Sequence, residues 1–175
     1  MVLKFFLHFF LIVLSVTLQL SFISGLPFGL ENFNLFLIAI IFVLMLSSFK
    51  ASLWWAVGLG FFLDLYSFLP FGAYMVCLLA MVLFANFMAV NFFTDRSLYS
   101  FIALTFISTI LFNLILLIFL YILGKFGGSN QLLANFQFFK DFVWQLILNL
   151  SAVFLLFYGI SFVSRRLRPV FLERK

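Results

Sequence analysis

Long apolar runs with almost no charge to interrupt them constrain this chain more than any other feature. Of its 175 residues, 67% are apolar and 9% charged, and the mean hydropathy is +1.31. Soluble domains carry about 25% charged residues. Ten Lys and Arg with five Asp and Glu cannot clothe a soluble domain of this size, so the chain reads as an integral membrane protein. Backbone facing lipid must satisfy its own hydrogen bonds, which leaves helices or a closed barrel, and the alternating segments of ~10 residues that a barrel needs are missing. The expected fold is all-α, a polytopic bundle forming one integral membrane domain over residues 1–175.

Charges and Gly/Pro clusters divide the chain into six expected spans at about 5–24, 33–48, 52–69, 72–93, 98–123 and 142–163. The second and third, parted only near Lys50, are close to the ~17-residue lower limit for crossing a bilayer, so a five-span count with the second dipping in stays open. The first run follows a lysine as a secretory signal would, but it is long enough to span and no A-x-A site follows, so it reads as uncleaved. Lys4, Lys50, Arg96 and the five basic residues of the tail fall on one side, against Lys125 and Lys140 on the other. The positive-inside rule then makes both termini cytoplasmic and favours an even number of spans. In this orientation Trp54, Trp55 and Tyr99 fall near the inner boundary and Tyr66, Tyr74, Tyr121 and Trp144 near the outer one. The longest loop, 124–141, faces outward, and its LLANFQFF stretch reads as a short amphipathic helix on the membrane surface.

The net charge of +5 does not signal nucleic acid. Half of the basic residues, Arg165, Arg166, Arg168, Arg174 and Lys175, crowd into the tail and read as a topology anchor. One histidine and one cysteine supply no metal constellation, and His8 and Asp64 are expected near opposite faces, so no Ser-His-Asp triad assembles. No phosphate-cradling GxxxxGK[ST] loop is present. Catalysis and cofactor chemistry therefore have no support in the sequence, and the chain does not read as an enzyme.

The acidic residue inside the third span needs a reason, since a centred charge costs up to ~3 kcal/mol on insertion scales. Ser52, Ala56, Gly60 and Asp64 recur every four residues and line one stripe of a helix, whose small members let a neighbour approach. The turn LYSFLPFGAY with Pro70 and Gly72 leads straight into the fourth span, where Ala73, Cys77 and Ala80 are also small. Spans three and four therefore read as a close hairpin. Asp64 either meets the free amides at the start of the fourth helix, a structural role, or binds a substrate, proton or partner. Gln19, Asn113, Gln145 and Asn149 are expected to converge in the outer half, either as interhelical hydrogen-bond glue worth ~0.6–2 kcal/mol each or as the lining of a small cavity open to the outside. Thr105, Ser108, Thr109 and Asn113 form a further stripe, expected as a packing face.

Gly60-x-x-x-Asp64 followed by Gly72 resembles the signature of MreD, the small membrane protein of the bacterial rod-shape system. Length, six spans, a basic tail and the position of the signature agree with that family, although members often carry glycine where this chain has Ala56. The resemblance implies a noncatalytic scaffold of the cell-elongation machinery in the bacterial inner membrane. Its implied partners are the bitopic protein MreC, the actin-like MreB filament, and RodA with its penicillin-binding transpeptidase. The MreD layout is also similar to the substrate-binding subunits of energy-coupling-factor vitamin transporters, which gives the alternative reading: outer polar residues that bind a vitamin.

Overall fold

A computed structural model describes the backbone of residues 2–67, 69–93, 97–127 and 136–171, and side-chain surroundings for 6–67, 69–93, 97–122 and 139–159. Six α-helices make up nearly all of it: α1 Val2–Thr17, α2 Leu35–Leu46, α3 Phe49–Tyr66, α4 Ala73–Asn91, α5 Leu98–Gly127 and α6 Phe136–Phe171. No strand occurs among the described residues. Four helical stretches are long and apolar enough to cross a membrane: Phe6–Gly25, Ala73–Asn91, Leu98–Ile122 and Phe139–Gly159. The loop tip and the first half of the LLANFQFF stretch expected as a surface helix fall on 128–135, outside the described residues, as does Arg96, whereas its second half, 136–139, is the start of α6. The backbone of α6 carries the helix on through Arg165, Arg166 and Arg168.

The second expected span is shorter than its apolar run suggests. α2 has 12 residues, ~18 Å of helix against the ~30 Å of a bilayer core. It is apolar on every side, the mark of a helix enclosed by others. Phe36, Leu37, Ile38, Ile40 and Ile41 are each 1% exposed or less, and α1, α3, α4, α5 and α6 all pack on it. Its C-terminal end breaks at Ser47, after which Ser48 restarts the chain as the N-cap of α3, its hydroxyl accepting from the amide of Ala51 at 3.3 Å. α3, with 18 residues including Lys50 and Asp64, reaches ~27 Å.

α1 ends in a single π-helical turn, Leu18–Phe22, followed by the 3-10 turns Ile23–Gly25 and Leu30–Asn32. Between these two turns, Phe28 (φ 65°) and Gly29 (φ 84°) adopt left-handed backbone. Gly29 sits where a Cβ would meet the Trp144 indole at 3.3 Å, so this connection lies flat against α6.

Two aromatic side chains make specific contacts inside the bundle. Trp55 is buried, and its Nε1–H donates to His8 Nδ1 at 3.0 Å, tying α3 to α1. Tyr74 is half-buried and stacks on Phe112 with ring centroids 6.4 Å apart. In both cases a partner ring or nitrogen lies within reach inside the bundle. Trp54, Tyr66, Tyr99 and Tyr121 are exposed, as interfacial residues would be.

Candidate functional site

The residues singled out in the sequence gather at one end of the bundle, where α3 ends and α2, α4 and α6 begin. There the chain enters α4 through Gly72, the residue before the first helical position, with φ 98°. A side chain would strain that backbone, so glycine is favoured, but glycine brings no side chain to accept from the first amides of the helix. Asp64 supplies what Gly72 lacks. Its Oδ1 accepts from the amide of Tyr74 at 2.8 Å and its Oδ2 from that of Met75 at 3.2 Å. These are the second and third amides of α4, the ones a capping side chain normally satisfies, here reached from the preceding helix.

The magnitudes explain why a carboxylate is tolerated. Hydrogen bonds to a charged group contribute ~1.5–3 kcal/mol each, and the helix N-terminus adds ~0.3–1. Together they would offset the up to ~3 kcal/mol that a charge at the centre of a membrane-inserted helix costs. The contact requires α3 and α4 to come very close. A Cβ on Gly60 would lie 2.5 Å from the Cα of Met75, the residue whose amide Asp64 accepts, and backbone cannot swing away as a side-chain tip can. Ser52 and Ala56, earlier on the stripe, are fully buried, and so are Ala73 and Cys77 opposite, whereas Ala80 is partly exposed. The sequence's structural option for Asp64 matches this geometry.

The start of α2 is satisfied differently. Asn34 caps it locally by accepting from Leu37 at 3.1 Å. Gln19, held in the π-helical turn, accepts from the amide of Leu35 at 2.9 Å and donates to the carbonyl of Phe33 at 2.8 Å. Asn149 on α6 accepts from the amide of Asn34 at 3.1 Å and donates to the Thr109 hydroxyl of α5 at 3.2 Å. Asn113 donates to the Gln145 carbonyl oxygen at 2.6 Å, closing a second α5–α6 bond, and to the Thr109 carbonyl at 2.8 Å. All four of these amide side chains thus come together at one end of the bundle. Thr105 and Thr109 bond back to carbonyls one turn earlier and are buried with Ser108 in the packing face expected of them.

Beside this network lies a pocket of about 240 Å³, lined among others by Gln19, Asn113 and Gln145, so the amides serve as glue and as cavity wall at once. Asn149 lies deeper, fully buried. Two residues that the sequence reading passed over also line it, Glu31 and Asp141. Their signal was available: they are two of only five acidic residues, and each sits near the expected start of an apolar run. Asn34, the cap before an apolar run, carried a standard helix-start signal as well.

No family model matches the chain, and neither a curated protein nor a solved structure does. Among the described residues no group of three or more His, Cys, Asp or Glu side chains is placed to hold a metal ion.

Proposed function

We propose that this chain is a noncatalytic scaffold of the bacterial elongation machinery, of the MreD type, lying in the inner membrane with both termini cytoplasmic. In this reading all six helices belong to the membrane domain, α2 as a short central helix and α3 with its ends at the two interfaces. The observation that carries it is the capped hairpin. The residues on which the resemblance rests, Gly60, Asp64 and Gly72, are the same three that join α3 to α4: one permits the approach, one satisfies the amides, one makes the turn. Such a hairpin is a rigid unit on which another protein's transmembrane helix can pack. MreC is the expected direct partner, with MreB, RodA and the transpeptidase reached through the same complex, and the bilayer as solvent. No nucleic acid is involved.

A Gly60→Leu variant tests this by co-purification with MreC from membranes, normalised to the amount of folded protein. Recovery of the complex is expected to collapse, while Gly25→Leu, where a Cβ meets nothing within 4 Å, retains it. Full recovery with Gly60→Leu would remove the proposal.

The pocket favours a second reading, a substrate-binding subunit of an energy-coupling-factor transporter. Under it the purified protein binds a small vitamin or vitamin precursor that fits about 240 Å³ in detergent and co-purifies with an ATPase module; under the scaffold reading it does neither.

A further inference from the structure

The pocket beside the α2 cap has a definite chemical preference, separate from the question of scaffold or transporter. Its wall combines three kinds of group. Glu31 and Asp141 bring two carboxylates, and no Lys, Arg or His is among the lining residues. Asp141 has a single long bond, from the Asn32 amide nitrogen at 3.4 Å, and Glu31 has no hydrogen-bond or ion-pair partner among the described residues. Lys140, the neighbour of Asp141 in sequence, is exposed and does not line the cavity.

Oxygen acceptors make up the second kind. The 2.6 Å bond between Asn113 and Gln145 uses the nitrogen of one and the oxygen of the other, which leaves the Asn113 oxygen with no hydrogen-bond partner among the described residues. The Tyr74 hydroxyl likewise has no partner among the described residues. The third kind is aromatic: Tyr74 stacked on Phe112 forms one wall, and electron-rich ring faces attract cations. At about 240 Å³ the space falls below the ~300–1,000 Å³ of sites for drug-sized ligands. It suits a single small group on a short stem. Close to a bilayer, two carboxylates with no Lys, Arg or His among the described lining residues attract a cation more strongly than they would in open water.

We propose that this pocket recognises a small organic cation, an ammonium or guanidinium group on a short apolar stem. The carboxylates of Glu31 and Asp141 hold the charge, the Asn113 oxygen accepts one of its N–H groups, and the Tyr74–Phe112 wall packs on the stem. The same chemistry is presented by a free amine and by a Lys or Arg side chain of a partner protein, the first fitting a transport subunit and the second a scaffold.

Full-length protein in detergent is titrated calorimetrically with n-butylguanidinium, with its neutral isostere n-butylurea, and with the peptide acetyl-Ala-Arg-Ala-amide. Saturable binding of the guanidinium is expected, about tenfold tighter than the urea, the ~1.4 kcal/mol of one decade, with Glu31 exposed and Asp141 half-buried at the pocket wall. The double variant Glu31→Gln with Asp141→Asn should weaken guanidinium binding by a similar factor. Circular-dichroism melting should be unchanged, because neither carboxylate caps a helix. A peptide that binds tighter than butylguanidinium assigns the source to a protein side chain, and the reverse order assigns it to a free amine; both support the cation site. Absence of saturable cation binding, equal affinity for the urea, or full affinity in the double variant overturns it. None of these results bears on MreC co-purification, so the site and the scaffold reading fail separately.

Discussion

Two helices, α4 and α2, begin at the same end of this bundle, and each relies on side chains from other helices to satisfy its first amides. At α4 one carboxylate, ten residues away in sequence, meets both amides across a glycine contact that leaves no room for a Cβ. At α2 the work is divided among neutral amides, one local, one from the end of α1 and one from α6, 115 residues from the amide it caps. The charged cap sits in a tight hairpin. The neutral caps share their end of the bundle with a pocket. Enclosed backbone amides are costly when unsatisfied, so both starts need acceptors. The difference lies in reach: one short charged group demands contact at backbone distance, whereas several longer amides tolerate a gap between helices.

Breaking the charged cap should have the largest effect. Asp64→Leu leaves two enclosed amides without an acceptor, a loss of about 3–5 kcal/mol, read as a lowered midpoint in denaturant unfolding from detergent; Asp64→Asn, which keeps an acceptor, should lose less than half of that. Next comes Gly60→Ala, whose methyl group meets the Met75 backbone and should cost about 1–3 kcal/mol by overpacking. It should also lengthen the α3–α4 distance measured between spin labels at the two helix ends. Gly72→Ala places a Cβ on left-handed backbone and is expected to cost about 1–2 kcal/mol in the same unfolding assay. Smallest is Asn149→Ala, at roughly 0.6–2 kcal/mol. Because Gln19 and Asn149 cap neighbouring amides, Gln19→Ala with Asn149→Ala should depart from additivity, whereas Asn149→Ala with Asp64→Asn should be additive. Additivity within the α2 pair would show that its cap is not a unit.

The same contrast explains how much of the molecule could be read from its sequence. The α3–α4 hairpin was legible because its parts are close in the chain: a four-residue stripe, a Pro/Gly turn and small residues opposite all lie within 52–80. The convergence of Gln19, Asn113, Gln145 and Asn149 could be foreseen from depth alone, since helix direction fixes which residues share a level. Their partners could not. Which amide accepts from Asn34 depends on how α6 rotates against α2, and no local pattern carries that rotation. The brevity of α2 was hidden for a related reason, since an all-apolar run of this length reads the same whether it crosses the bilayer or lies inside a bundle. The partners of Trp55 and Tyr74, His8 and Phe112, lie on other helices, so no local pattern carried them either. Glu31 and Asp141 gained meaning only once the fold brought residues 110 apart to one cavity.

Amide hydrogen exchange along α4 and α2 in detergent-solubilised wild type and Asp64→Ala reads the capping directly. If Asp64 is the cap of α4, the alanine variant loses protection at Tyr74 and Met75 while Leu35 at the start of α2 keeps its own. Unchanged protection at Tyr74 and Met75, or an equal loss at Leu35, would contradict the claim that this carboxylate is there to hold the hairpin closed.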